Sequence, residues 1–302
     1  MSASLVLEQL ARAAGIRLVP STELYPELHT AGDAGLPLLV VENRLARAVI
    51  ALQGAHVMAF KPAGQQEMLW LSPKSVLKAG VPIRGGIPLC VPWFGPAEGS
   101  PLMHGFGRIR EWSLVAAEAC ADGATRIVLE LASETPVDDF WPHAFSFRLE
   151  VVIGTSLSLA MQVVNRGNAP APLQFAFHTY FIVPSVAEAL VTGLENTTYL
   201  DKADEMKRKA QKGEIAITEF TNRIYLDVPD VQVLKAASGN VKIESKAKCA
   251  VVWNAWNEDK TMADMGEGNH KTYLCIERGD VADYAVTIPA GESYRTAMTL
   301  SR

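Results

Sequence analysis

The residues of this chain that could do chemistry fall into one dense segment and two distant strands. The segment runs from Arg84 to Arg108, RGGIPLCVPWFGPAEGSPLMHGFGR. It has an arginine at each end, and a histidine, His104, stands four residues before the second. Glycine and proline recur through it. Helix is therefore excluded, since glycine is conformationally permissive and proline removes donors and clashes with the preceding turn. Trp93, Phe94 and Phe106 make the segment too apolar for a disordered linker. The reading is an ordered, irregular wall that carries cations. Two arginines on such a wall suit a dianion such as a phosphate monoester, which accepts forked, charge-assisted hydrogen bonds.

His178 is centred in FAFHTYF and Glu277 lies in LCIERG, at the end of an apolar run. A carboxylate there faces a core or a cleft, and an unpaired buried charge is costly, so it needs a partner or a function. A glutamate and a histidine aimed into one cavity would make a general base and a general acid. The sequence alone does not show that they meet, since 99 positions separate them. Plainer readings stand beside these. His178 can be a satisfied core histidine, His104 a loop residue bonding backbone, and Arg84 half of a surface ion pair. The glycines around His104 also allow close approach of a ligand hydroxyl. Trp93, Phe94, Trp141, Trp253 and Trp256 lie near turns, where an aromatic face can pack on the apolar side of a pyranose ring.

Other chemistries lack their signatures. His29, His56, His104, His143, His178 and His270 show neither HxH nor HExxH spacing, which argues against a metal site. RGGIP is neither a P-loop nor a dinucleotide fingerprint, and no G-x-S-x-G elbow is present.

The elements that must position these residues read as strands. Apolar or alternating runs cover 37–44, 46–53, 56–62, 67–72, 112–119, 125–133, 145–154, 156–167, 172–183, 231–247 (a hairpin), 249–256, 273–279 and 284–301. Residues 3–16 read as a short amphipathic helix through Leu5, Leu7, Leu10 and Ala14, and 17–35 as a connecting segment. The charged stretch 201–213 reads as an exposed crossing segment, partly helical. Many hairpins and few helices point to an all-β protein, a large antiparallel sandwich or barrel. The expected division is an N-terminal extension over 1–36 and one β-sandwich domain over 37–302.

The bulk properties narrow the class. The chain has 302 residues, 49% hydrophobic and 20% charged, enough to bury a large core without staples. A net charge of −5 argues against a nucleic-acid surface. Cys90, Cys120, Cys249 and Cys275 have no CxxC spacing and read as free thiols of a reducing compartment. No apolar run approaches the roughly 20 residues of a spanning helix, and the N-terminus lacks a signal-peptide pattern. A cytoplasmic protein is expected.

RGGIPLCVPWFGP, HGFGR, FHTYF, VVWNAW and CIERG, in this order and spacing, resemble the D-hexose-6-phosphate mutarotases, the glucose-6-phosphate 1-epimerases of the galactose mutarotase-like superfamily. The resemblance covers residues 37–300 or so, and it implies the superfamily's large antiparallel β-sandwich. It implies that His178 protonates the ring oxygen as general acid and that Glu277 removes the anomeric hydroxyl proton as general base. Arg84 and Arg108 would hold the phosphate, while His104 would line the sugar site. Three positions depart from the family pattern. Met103 stands where glutamine is usual, and Asn222 stands where an aspartate usually contacts the sugar. Asn222 keeps the ability to donate and accept hydrogen bonds. Arg278 replaces a small residue or proline and alternates away from Glu277 if the strand continues. The implied activity is that of an isomerase acting on a small sugar phosphate, with no cofactor and no metal, as a monomer or weak homodimer. An epimerase of unphosphorylated aldoses, or a non-catalytic sugar-binding protein on the same fold, are the other readings.

Overall fold

The computed structural model describes residues 7–9, 11–12 and 14–302. Two large sheets organise the chain, one of eight strands and one of nine, with a four-stranded sheet beside them. Among the described residues every strand pairing is antiparallel, between hairpin neighbours and between distant strands alike. Regular helix is confined to short turns: Ser21–Leu24 and a few 3₁₀ segments among the described residues, with helical conformation also at 7–9 and 11–12. Leu5 and Leu10 of the expected N-terminal helix lie outside the described residues. No helix among the described residues is long and apolar enough to cross a membrane.

The main core lies between the two large sheets. Strand Leu157–Asn165 shows how the sequence dictates this, because Leu157, Leu159, Met161 and Val163 are buried in alternation with half-exposed and exposed residues. Strands Cys249–Asn254 and Tyr273–Asp280 of the eight-stranded sheet are buried on both faces. On Tyr273–Asp280, Leu274 and Ile276 enter the inter-sheet core, whereas Tyr273 and Cys275 belong to a second cluster with Trp70, Tyr180 and Trp253. The second face of this sheet carries the site.

Several expectations change in detail. Residues 17–35 are not merely a connection: Arg17–Pro20 pairs with Pro37–Glu42 as an edge strand of the four-stranded sheet. Part of the expected extension therefore belongs to the same body as the sandwich. Residues 67–72 make only isolated bridges, Leu69 to Phe181 and Leu71 to Gly85. The charged stretch after residue 201 is a β-hairpin rather than a partly helical crossing. Thr198–Asp201 pairs with Lys207–Ala210 around a 3₁₀ turn. Glu205 and Met206 take positive φ there, at 50° and 62°, which ends helical continuation and reverses the chain. Its charges suit a sheet edge, where they discourage further strand pairing. The cysteines are free thiols, three buried and Cys120 half-buried.

Candidate active site

The run 172–183 is not one strand. It divides into Ala171–Leu173, Phe175–Phe177 and Tyr180–Ile182, and the second break falls at His178 and Thr179. The His178 backbone N–H donates to the Pro88 carbonyl at 2.9 Å. Phe177 lies opposite Arg278 across the antiparallel pair. With alternating faces, Phe177 enters the core and His178 turns to the other side, beside Glu277. Register thus closes the 99-residue gap. His178 Nε2 stands 3.4 Å from Glu277 Oε1, with both side chains almost fully buried. The remaining polar atoms, His178 Nδ1 and Glu277 Oε2, have no hydrogen-bond partner.

These two residues line a cleft of about 330 Å³ together with Arg84, Phe94, Met103, His104, Arg108, Lys202, Phe220, Asn222, Trp253 and Met262. Every site residue expected from the sequence is therefore in one cavity. Of the aromatic candidates, Phe94 and Trp253 line it. Trp93 and Trp141 belong to the inter-sheet core, and Trp256 packs against that core.

The wall from 84 to 108 is built by glycines that only glycine can replace. At Gly86, with φ of 61°, a Cβ would lie 2.3 Å from the Val57 carbonyl oxygen. At Gly105, with φ of 72°, it would lie 2.1 Å from the Val91 carbonyl oxygen. Both contacts are with backbone, which cannot move aside cheaply. His56 Nε2 donates to the Gly85 carbonyl at 2.7 Å and pins the first turn from below. At the other end His104 sits at φ 64° and is locked reciprocally. Its N–H donates to the Gly95 carbonyl at 2.8 Å, and the Gly95 N–H donates to its Nδ1 at 3.0 Å. An Nδ1 that accepts leaves the proton on Nε2 of a neutral ring, so His104 is a hydrogen-bond donor at Nε2. Burial holds its imidazole well below the usual histidine range, with Arg108 and Lys202 adding to the effect.

The arginines differ in state. Arg84 makes a two-pronged pair with Asp264, Nε to Oδ2 at 3.0 Å and the second terminal nitrogen to Oδ1 at 3.2 Å. Its other terminal nitrogen donates to the Tyr180 hydroxyl at 3.1 Å. Arg108 donates to the Met103 carbonyl at 2.7 Å, and its buried Nε has no partner. No ion pair to Arg108 is present among the described residues. The contact from Met103 is thus made by backbone, while the thioether is exposed at the rim, so a methionine here leaves that anchor intact. Asn222 reaches the cleft from strand Thr221–Leu226, opposite Trp253 in the neighbouring strand. Asp227 does not substitute for it. That side chain pairs with Lys248 at 3.1 Å and borders a separate groove.

Electrostatics set the resting state of the pair. Burial pushes the Glu277 carboxyl well above its ordinary value, and Lys202 opposes this weakly. Burial also pushes His178 well below its own, and His104, Arg108 and Arg84 lower it further. The acid role that the resemblance implies for His178 needs a protonated imidazole. Apart from Glu277 at 3.4 Å, the charged groups that act on the imidazole are the cations Arg108 and Arg84, and they add to burial in disfavouring its protonation.

Arg278 points the other way. Its guanidinium is fully buried and donates to the carbonyls of Cys249, Pro229, Asp230, Ser245 and Ala247 and to the Gln232 side chain. Sequence reasoning missed Lys202, Tyr180, Phe220, Met262 and Asp264. Tyr180 was within reach, since its i+2 spacing from His178 puts both rings on one side. Asp264 and Lys202 sit in charged stretches that read as solvated surface. Among the described residues no group of three or more His, Cys, Asp or Glu side chains is placed to hold a metal ion.

Comparison with known proteins agrees with this architecture. Residues 37–301 match the aldose 1-epimerase family. A protein of Cenchrus ciliaris, provisionally named glucose-6-phosphate 1-epimerase, is 34% identical over 282 residues, covering 89% of this chain and 85% of its own. An Escherichia coli K12 protein of the same provisional name is 34% identical over 255 residues, 80% of this chain and 82% of its own. The crystal structure of a provisionally assigned mutarotase from Salmonella typhimurium superposes with a TM-score of 0.80 at 29% identity, covering 95% of this chain and 96% of that one. With its sandwich, its cleft and this match over most of its length, the chain belongs to the aldose 1-epimerase family.

Proposed function

We propose that this protein interconverts the α and β anomers of a hexose 6-phosphate, with glucose 6-phosphate as the reference substrate. The observation that carries the reading is the His178–Glu277 pair, 3.4 Å apart, facing a cation-bearing wall in the same cleft. Family membership supports an isomerase acting at the anomeric carbon. The relatives' names support a phosphorylated substrate.

The chemistry requires one base and one acid. Glu277 removes the proton from O1 while His178 delivers a proton to the ring oxygen. The C1–ring oxygen bond breaks and C1 becomes a carbonyl. Rotation about C1–C2 presents the other carbonyl face. The ring oxygen then attacks C1, returning its proton to His178, and O1 recovers its proton from Glu277. Each group ends as it began, so no net proton or electron is consumed. The phosphate bears on one half of this pair, the imidazole, whose charge burial disfavours first and the cations second. A dianion beside Arg108 cancels cations that depress His178, and added negative charge favours imidazolium. His104 Nε2–H and the Asn222 amide supply hydrogen bonds to ring hydroxyls. Phosphate binding remote from C1 holds the ring in place for proton transfer.

One chain builds the whole cleft, so a monomer or weak homodimer suffices. Free thiols suit the cytoplasm. The test is NMR exchange between the anomers of glucose 6-phosphate, with and without protein. Wild type should accelerate exchange, and His178→Ala or Glu277→Gln should each remove about 10²–10⁴-fold, the usual worth of one acid–base group. Full activity in both variants would refute the assignment.

A further inference from the structure

The cleft holds a third cation whose carboxylate neighbours are engaged elsewhere. We infer that Lys202 is a direct phosphate-binding residue of this site, completing with Arg108 the charge that receives a sugar-phosphate dianion. This rests on the function proposed above and adds a residue to its specificity.

Part of the positive charge in the cleft is already neutralised. A guanidinium has five N–H donors. Arg84 commits three of them, two to the Asp264 carboxylate and one to Tyr180. Its charge is matched, with the closest contact to Asp264 at 2.9 Å. Arg108 has no such partner and keeps its Nε unused. Arg108 alone cannot balance a phosphate monoester, which carries about −1.5 to −2 charges near neutral pH.

Lys202 supplies the difference. It opens the 3₁₀ turn Lys202–Asp204 and is flanked by Asp201 and Asp204. Neither pairs with it. Asp201 accepts from the Ala203 N–H at 3.1 Å and from Lys209 at 2.7 Å. Asp204 takes Lys207 at 2.6 Å and Lys209 at 2.8 Å. The hairpin therefore satisfies its acids with its own outer lysines and turns Lys202 inward. The Lys202 ammonium lies 5.6 Å from the centre of the Phe94 ring, within the cation–π range. Phe94 in turn packs edge-on to His104, with centroids 4.8 Å apart. Lys202 thus stands over the same wall as Arg108 and His104. Beyond its two chain neighbours, a Cβ added at Gly95 would meet the Lys202 ammonium at 4.0 Å. The ammonium therefore stands over the backbone of the wall inside the cleft that Arg108 also lines. Two unmatched cations facing one cavity match one dianion.

The test uses inorganic phosphate first, by calorimetric titration of the full chain. Lys202→Met keeps the length and apolar stem but removes the charge, and Lys202→Arg retains the charge. Loss of one charge-assisted hydrogen bond should weaken phosphate binding by about 10- to 100-fold in Lys202→Met. Lys202→Arg should stay within several-fold of wild type. With glucose 6-phosphate, Lys202→Met should raise KM by a similar factor while kcat changes much less. Unchanged phosphate affinity in Lys202→Met would overturn the inference, as would a fall in kcat with KM unaltered. Phosphate binding is read without turnover. A wild type that binds phosphate through Lys202 yet fails to exchange anomers would refute the proposed activity and uphold this contact.

Discussion

The His178 imidazole lies flat against the ring of Tyr180, with centroids 4.8 Å apart and planes only 5° from parallel. The same tyrosine accepts a hydrogen bond from Arg84, which Asp264 holds from the other side. Asp264, Arg84, Tyr180 and His178 form one continuous brace. Tyr180→Phe keeps the stack but cuts the link to Arg84. The expected result is a loss of about 1 kcal/mol of stability, the net worth of one hydrogen bond. We expect kcat for glucose 6-phosphate to fall several-fold, with KM nearly unchanged. Steady-state anomer exchange separates the two parameters. A variant with raised KM and wild-type kcat would place the tyrosine in binding instead.

Glu277 makes the protein's stability depend on pH in a defined direction. Its folded-state proton affinity is raised above the ordinary value of 4.5 by burial. The folded state therefore binds more protons than the unfolded state above that pH. The contribution is fully present below about 4.5 and is lost as pH rises through the folded value. Glutamine does not titrate. Glu277→Gln should melt close to wild type at pH 4 and above it at pH 8, with the gap widening between. Thermal unfolding of both proteins across this range checks it. A gap that narrows with rising pH would contradict the burial argument.

His178 should report the phosphate. In phosphate-free buffer its imidazole should titrate below the ordinary histidine value of 6.5, because burial and the neighbouring cations disfavour charge. Saturating inorganic phosphate should move the midpoint upward, since negative charge favours imidazolium. Imidazole NMR titration with and without phosphate reads the shift directly. An unchanged or lowered midpoint would break the link between substrate charge and acid catalysis.

Gly105→Ala tests the wall. The new methyl would collide with the Val91 carbonyl, in a backbone region that side chains seldom adopt. The main chain must shift, and with it His104, whose ring is locked to Gly95. Strain of this kind costs on the order of 1–3 kcal/mol. Lower thermal stability together with a raised KM is the expected outcome. A variant equal to wild type in both would show that the turn relaxes freely.

The sequence carried the sandwich because strands with one open face keep their alternation, as in Leu157–Asn165 and Phe145–Ile153. It carried Arg84, His104 and Arg108 because glycine and proline confine those residues to one wall. The meeting of His178 and Glu277 was not legible, since it depends on the register of Phe177 against Arg278. The break in the run 172–183 was hidden by continuous apolarity, which does not reveal where pairing stops. Lys202 was hidden among charges that look solvated. Only the pairing of Asp201 and Asp204 with Lys209 sets it apart.

Arg278 has a consequence for fidelity of assembly. It is adjacent to Glu277 on strand Tyr273–Asp280, so the two point to opposite faces. A slip of one residue would deliver a guanidinium to the cleft and strand a carboxylate among five backbone carbonyls, where every contact repels it. The mispaired chain is penalised twice by a single exchange. A cation on the face opposite the cleft thereby acts as a proofreader of strand alignment, admitting only the alignment in which His178 and Glu277 meet.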